Sequence, residues 1–539
     1  MKFSSNQNSS RYWLYLIGIA ATFLPVLLIE RSVLQHTLGQ FIYPVDDTFI
    51  HMEVATNLAG HGTWGINTQE FGSASSSLLY TLILAGCFKI FGTSILIPFI
   101  VNCIAAILLV ILAANWLTSQ LIKTRAAILI LLLGIFLMPL PVMIISGMEH
   151  TLQTFFSFLF LFGLLRWEQE WVNSKDVKFP YLLGLWAVLL VATRYEGLFL
   201  VGTGCLYLLI KKHYRTGFII GLLSLLPVVI FGLISVSKGS YFLPNSVLIK
   251  ADEVPLFGGG IANFVQTLFV EKLTLDKPGI TAQATQRLLI ILPLCYFFLQ
   301  RRLKTRAAIH PAFAILSLTV LLHLCFASTG KFYRYESYLM FCSGIAIGQA
   351  ICEKLSFPAL KKNLLSVAMI SLLGFALCFP LLLRSSAALS KTRQACFNIY
   401  EQQFQMAQFL SEHYPNTSFA ANDIGAVSFY TKGTVVDLWG LGSNAIARSR
   451  KNGYWNDDFL DSTTRHAGAR LAIIYDSWFK NTLGNKWTKL ASWQIQNNVV
   501  CGDDIVSFYA INTADSAAIK TGLRSYQMKL PPTVNVTYY

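Results

Sequence analysis

Apolar residues recur along this chain in long blocks separated by short polar breaks. Blocks of about 17–25 residues match the thickness of a bilayer core. The first covers residues 12–29. Others cover residues 78–91, 95–117, 126–145, 151–165, 181–193, 198–210, 218–235, 288–299, 311–327, 338–352 and 364–383. The pattern predicts a polytopic α-helical membrane protein with roughly 11–13 transmembrane helices. No small-residue cleavage site follows the first block and many blocks come after it, so it reads as a retained helix. Beyond residue 384 the pattern changes. Residues 385–539 have an ordinary soluble composition, with β-like runs at 434–438, 471–475 and 505–511 and a helical stretch at 400–413. Such alternation predicts a small C-terminal α/β domain attached to a membrane module of residues 1–384.

Between the first two blocks lies a polar loop, residues 31–77. Within it, residues 46–58 read as an interfacial helix. Phe49, Val54 and Leu58 favour one face and Asp46, Asp47 and Glu53 another. Carboxylates at a first turn suit the helix dipole, so one aspartate is explained as a cap and the second is left over.

Composition sharpens the membrane reading. Of 539 residues, 54% are hydrophobic and only 13% are charged, too apolar for a soluble globule. The net charge of +15 comes from basic residues gathered in short loops: Lys211, Lys212 and Arg215; Arg301, Arg302, Lys304 and Arg306; Lys354, Lys361 and Lys362. This is the pattern of cytoplasmic loops, and no nucleic-acid partner is expected. If those loops are cytoplasmic, the last block carries residues 385–539 outward. The count then puts Asp46 and Asp47, residues 146–150, residues 194–196, the 238–286 loop and residues 331–336 on the same outer side. The counts from the two ends clash between residues 78 and 126. Either block 78–91 does not fully cross, or the Lys123/Arg125 loop is external and Pro139 and Pro141 break block 126–145. The ten cysteines include no Cys-x-x-Cys pair, and eight lie in or beside apolar blocks. Cys396 and Cys501 fall in the tail, where an oxidising compartment would permit a disulfide.

Ionisable groups at membrane depth are expensive and are functional hypotheses by default. Four clusters qualify: Asp46-Asp47; Ser146-Gly147-Met148-Glu149-His150; Arg194-Tyr195-Glu196-Gly197; and Lys331-Phe332-Tyr333-Arg334-Tyr335-Glu336. Lys250 is a fifth candidate. Acids serve as general base or hold a metal, and arginine and lysine hold phosphate. The bland readings are a helix cap for Asp46 or Asp47, a local ion pair for Arg194 with Glu196 and for Arg334 with Glu336, and a headgroup-seeking side chain for Lys250. His51 and His61 lie ten residues apart and match no compact ligand motif. Neither Gly60 and Gly62 nor Gly440 and Gly442 has the strand-loop-helix context of a nucleotide site, and no Walker lysine motif is present.

The order of these motifs resembles the GT-C glycosyltransferases, closest to the arabinofuranosyltransferase-like branch. The resemblance runs from Asp46-Asp47-Thr48-Phe49-Ile50 through Asn57-Leu58, His61-Gly62 and Asn67, then residues 146–150, then Arg194-Tyr195-Glu196-Gly197. It continues through Leu243-Pro244-Asn245-Ser246 with Lys250, and ends with Asp423-Ile424-Gly425-Ala426 and Asp437-Leu438-Trp439-Gly440-Leu441. Tyr195 stands where the family carries proline, and His150 where it carries threonine. No proline follows Gly72 in Ser73-Ala74-Ser75-Ser76-Ser77.

The resemblance implies a multi-pass enzyme of the bacterial inner membrane, with its active site and C-terminal domain on the extracytoplasmic side. It implies inverting transfer of a sugar from a polyprenyl-phosphate donor to an envelope glycan, lipid or protein acceptor. Asp47 or Asp46 would be the base, with Glu149 in support. Chemistry adds Arg194, Lys250 and Arg334 as donor-phosphate contacts, and Asn57, His61, Glu196, Tyr333 and Glu336 as substrate contacts. A divalent cation, Mg or Mn, on Asp46 and Asp47 is a candidate cofactor. The alternative is a transporter or flippase. That class predicts charges near span centres and internal duplication, whereas here the charges gather at one face and no repeat is visible.

Overall fold

A computed structural model of the chain describes residues 5–174, 178–251, 287–296, 309–355, 364–480, 482–483 and 486–539. The membrane module opens with α1 (Ser5–His36), the short α2 (Asp47–His61), α3 (Leu78–Phe91) and α4 (Leu96–Ser119). It continues with α5 (Thr124–Leu137), α6 (Leu140–Ile145), α7 (His150–Ser174), α8 (Tyr181–Thr193), α9 (Gly197–Ile210), α10 (Tyr214–Ser237) and α11 (Asn245–Ala251). The remaining helices of the module are α12 (Arg287–Tyr296), α13 (Ile309–Phe326), α14 (Ser337–Leu355) and α15 (Leu364–Ile399).

Among the described residues, three helices are long and apolar enough to cross a bilayer alone: 11–36 within α1, α4 and α10. Shorter apolar helices pack between them. The topology clash in the sequence falls on α3 and α5. Helix α3 has 14 residues, a rise of about 21 Å at 1.5 Å per residue, short of a ~30 Å core. The block at 126–145 is broken between Leu137 and Leu140, at Pro139, where a prolyl ring cannot continue the ladder.

The predicted C-terminal domain is a six-stranded sheet in the order β2-β1-β3-β5-β4-β6. Its strands are β1 (Phe419–Ala421), β2 (Val435–Asp437), β3 (Leu471–Ile474), β4 (Thr488–Gln494), β5 (Ile505–Ala510) and β6 (Asn535–Tyr538). The first three are parallel and the others antiparallel. Its helices are α16 (Gln405–His413), α17 (Gly425–Tyr430), α18 (Asn444–Lys451), α19 (Asp457–His466) and α20 (Ser516–Gln527). The last membrane helix does not stop near residue 384. It runs to Ile399 and passes through a π-helical turn (Tyr400–Phe404) into α16, so the two parts share a continuous helical connection.

They also share a core. Trp64, Ile66 and Ala74 of the first loop pack in one cluster with Phe409, Trp493 and Phe508 of the domain. A second cluster joins Tyr43, Phe49 and Tyr80 to Ile399, Tyr400, Phe404 and Ala426. The first loop is thus a layer between bundle and sheet, and α2 lies in that layer. Cys396 and Cys501 are both free thiols, so the disulfide allowed by the sequence is absent.

Candidate active site

Helix α2 begins at the acidic pair, and the two carboxylates point to different partners. Asp46 is buried. Its Oδ2 accepts from the Gly425 amide at 2.6 Å and its Oδ1 from the Ala426 amide at 2.7 Å. It does not cap its own helix. Instead it caps α17 of the C-terminal domain, satisfying two amides that a helix start leaves unpaired. Burial, and then the neighbouring carboxyl of Asp423, push the Asp46 carboxyl well above its ordinary range. Two buried like charges in contact cannot both ionise, so the pair retains a proton. Asp423 accepts in turn from Gln403 Nε2 at 2.8 Å and Tyr475 Oη at 3.0 Å.

Asp47 is the open one, with a third of its side chain exposed. Its Oδ2 lies 3.0 Å from a terminal nitrogen of Arg334. Arg334 Nε donates to the Lys331 carbonyl at 2.8 Å. The second terminal nitrogen, Nη1, is buried with no hydrogen-bond partner. An unpaired buried guanidinium N–H is costly. An anion would satisfy it.

Arg334 follows a left-handed turn. Gly330, Lys331, Phe332 and Tyr333 all have positive φ, three of them non-glycine. Each such residue costs roughly 1–2 kcal/mol, and the turn is held by side chains. Glu336 accepts from the Gly330 amide at 2.8 Å. The fully buried Arg384 bonds Glu336 at 2.5 Å, the Tyr333 carbonyl at 2.8 Å and the Leu137 carbonyl at 3.0 Å. Glu336 and Tyr333, expected on substrate, are therefore parts of the brace: the carboxylate is committed to Arg384, and the Tyr333 ring lies under that guanidinium at 5.4 Å. Arg384 was not singled out from sequence. An arginine at the end of an apolar block was the available signal.

The second wall comes from the turn between α6 and α7. Thr48 Oγ1 donates to the Ser146 carbonyl at 2.7 Å and Tyr80 Oη to the Gly147 carbonyl at 2.5 Å, so α2 and α3 grip this turn. Glu149 is fully buried at its end. Its Oε1 accepts from Arg194 Nη1 at 2.6 Å, and its Oε2 lies 3.4 Å from His51 Nε2. Burial would raise this carboxyl, but His150, His51 and Arg194 outweigh it and hold it below the ordinary range. Arg194 also bonds Glu196 through Nη2 at 2.5 Å and Nε at 3.2 Å. Expected on a donor phosphate, Arg194 is instead shared between two carboxylates. The local pair read for Arg194 and Glu196 is present, with Glu149 added.

Two other expected contacts lie away from Asp47. Asn57 is buried and donates to Glu53 Oε1 and the Gly65 carbonyl, both at 3.0 Å, closing the loop after α2. His61 is exposed at the far end of α2, fourteen residues from Asp47, or about 21 Å along a helix. Lys250 belongs to α11, but its side chain lies outside the described residues.

The candidate Mg or Mn ion on the acidic pair does not fit this donor set. Both Asp46 oxygens accept backbone amides, and Asp47 faces a guanidinium. Among the described residues, no three His, Cys, Asp or Glu side chains gather as metal ligands.

A family model described as a domain of unknown function, DUF8728, matches residues 397–509. No curated protein matches the chain. Among solved structures, ArnT from Cupriavidus metallidurans bound to undecaprenyl phosphate aligns with a TM-score of 0.51 at 13% identity. The alignment covers 92% of this chain and 98% of that one. The apo form of the same protein gives 0.48 at 14% identity, covering 94% and 99%. The Archaeoglobus fulgidus oligosaccharyltransferase in complex with Zn and sulfate gives 0.46 at 12%, covering 98% and 74%. The chain has the fold of ArnT, a helical membrane module followed by a C-terminal domain.

Proposed function

We propose that this protein is an integral-membrane glycosyltransferase that moves a sugar from a polyprenyl-phosphate donor to an envelope glycan, lipid or protein acceptor. Asp47 is its general base. The observation that carries the reading is the Asp47–Arg334 pair: a part-exposed carboxylate at 3.0 Å from a buried guanidinium whose other terminal nitrogen is unpartnered. One group accepts a proton and the other meets an anion. The solved ArnT structure contains undecaprenyl phosphate, an anion of the required class.

In this reading Asp47 takes the proton of the acceptor hydroxyl as its oxygen attacks the anomeric carbon. The bond from that carbon to the donor phosphate oxygen breaks on the opposite face, which inverts the configuration. The electron pair leaves on the polyprenyl phosphate, and the free Arg334 N–H stabilises the charge that develops there. Lys250 remains a candidate for the same phosphate. Glu149, Arg194 and Glu196 fix the wall rather than touch the reacting atoms. On α7, His150 and Gln153 are fully buried with no hydrogen-bond partners at their polar side-chain atoms, which supports a polar ligand at the start of α7. The reading places the site at the extracytoplasmic face of a bacterial inner membrane.

The test is Asp47→Asn in the purified full-length protein with a synthetic polyprenyl-phosphate sugar. Loss of a general base lowers kcat by about 100-fold to 10,000-fold. Full transfer by the variant would overturn the assignment.

A further inference from the structure

The C-terminal domain grips the acidic pair through backbone amides at the start of α17. The amides of Gly425 and Ala426, the first two residues of α17, close on both oxygens of Asp46 at 2.6 and 2.7 Å. The fit is tight on the domain side. A Cβ on Gly425 would overlap the Asp46 carbonyl and Oδ2, so an alanine there has no room unless Asp46 moves. Asp46 also fixes the start of α2, because its carbonyl accepts the Phe49 amide at 3.0 Å. The next residue is Asp47. Holding the Asp46 side chain at both oxygens and its carbonyl at a third point sets the direction in which the Asp47 carboxylate leaves the helix. Arg334 fixes the other side of that carboxylate.

We infer that Gly425 and Ala426 are positioning residues for Asp47: the C-terminal domain completes the catalytic geometry by gripping the neighbouring aspartate. The inference rests on the transferase reading above. It gives Asp46 a role distinct from that of Asp47, through hydrogen bonds from a residue almost 380 positions away in the chain. Gly425 touches no reacting atom in this scheme. Its influence passes through Asp46, and a displacement near 1 Å costs on the order of 100-fold in rate.

A double-mutant cycle in the full-length protein tests the clasp. Gly425→Ala crowds it and Asp46→Asn, close in shape, turns an amide nitrogen toward a backbone N–H. Each single variant is expected to lower kcat about 10-fold to 100-fold, with acceptor and donor KM changed less than about twofold. The double variant should be no slower than the slower single, because both break one unit. The kcat–pH profile of Gly425→Ala should keep its wild-type midpoint, since the base is Asp47. A shifted midpoint would make Asp46 the base and overturn the inference, as would additive losses in kcat. The same cycle read in unfolding temperature reports the clasp without activity. Coupling in unfolding temperature with no loss of kcat in either single variant also overturns the positioning role. Wild-type protein that transfers no polyprenyl-linked sugar would sink the transferase reading instead, and the unfolding cycle would still report the clasp.

Discussion

Arg384 and Glu336 meet at 2.5 Å with neither side chain exposed to solvent. This pair ties the interior of α15 to the left-handed turn that carries Arg334. Breaking a buried pair by removing one partner leaves an uncompensated charge and costs about 3–5 kcal/mol. Arg384→Met is therefore expected to lower the unfolding temperature strongly and to lower activity with it, by releasing the 330–333 turn. Adding Glu336→Leu should recover much of the stability, because two apolar side chains leave no buried charge. Activity should not recover, since the Gly330 amide and Tyr333 carbonyl still lack their partners. Equal unfolding temperatures for wild type and Arg384→Met would remove the brace.

Arg334 carries a different expectation. A charge-assisted hydrogen bond is worth about 1.5–3 kcal/mol. Arg334→Gln should lower kcat/KM for the polyprenyl-phosphate donor by about 10-fold to 100-fold and leave acceptor KM near its wild-type value. Steady-state kinetics with each substrate varied in turn separates the two. An unchanged donor kcat/KM would exclude the phosphate contact.

The sequence showed the parts of this site but not their division of labour. The helical module follows from the apolar blocks, since bilayer thickness sets their length, and the sheet from β-like runs that became β2, β3 and β5. The pair Asp46-Asp47 was visible as local charge. That one of them grips Gly425 and the other faces Arg334 depends on contacts hundreds of residues apart, which no spacing rule encodes. Glu336 and Arg334 lie two positions apart and read as a local ion pair. The positive φ values at 331–333 turn the chain so that each meets a distant partner instead, Arg384 for one and Asp47 for the other. His61 shares a helix with Asp47 but sits at the opposite end, a separation that helix length rather than spacing in sequence makes plain.

Glu53 offers a pH dependence with a definite sign. It is half-buried on α2, and burial raises its carboxyl to about 8, against a smaller opposing effect from the Asn57 amide. The folded protein thus holds a proton that the unfolded chain releases near 4.5. Between about pH 4.5 and pH 8 the native state binds more protons, so this group's contribution to stability falls as pH rises and is lowest above about 8. Glu53→Gln keeps an acceptor for Asn57 and cannot ionise. The variant is expected to unfold at a higher temperature than wild type near pH 9, by about 4 °C, and to match it near pH 5. Melting curves at both pH values check this. A wild-type advantage near pH 9 would contradict the buried, protonated carboxyl.

Asn444 is another place where the C-terminal domain grips the membrane module. Its Oδ1 accepts from Ser240 Oγ at 2.8 Å and Asn245 Nδ2 at 2.9 Å, and its Nδ2 donates to the Phe71 carbonyl at 2.8 Å. One side chain therefore joins α18, the first loop and the start of α11. The approach is close: a Cβ on neighbouring Gly72 would overlap the Gly442 carbonyl. Each bond is worth about 1 kcal/mol net, so Asn444→Ala is expected to cost roughly 2–3 kcal/mol, a fall of several degrees in unfolding temperature. Asn444→Asp keeps both acceptor bonds and loses the donation to Phe71, so its fall should be smaller. Helix α11 begins at Asn245 and carries Lys250. If that lysine reaches the donor phosphate, Asn444→Ala should also raise donor KM while leaving the Asp47-dependent kcat–pH profile in place. A donor KM equal to wild type in a destabilised Asn444→Ala would separate α11 from the donor and leave Arg334 as the anion contact.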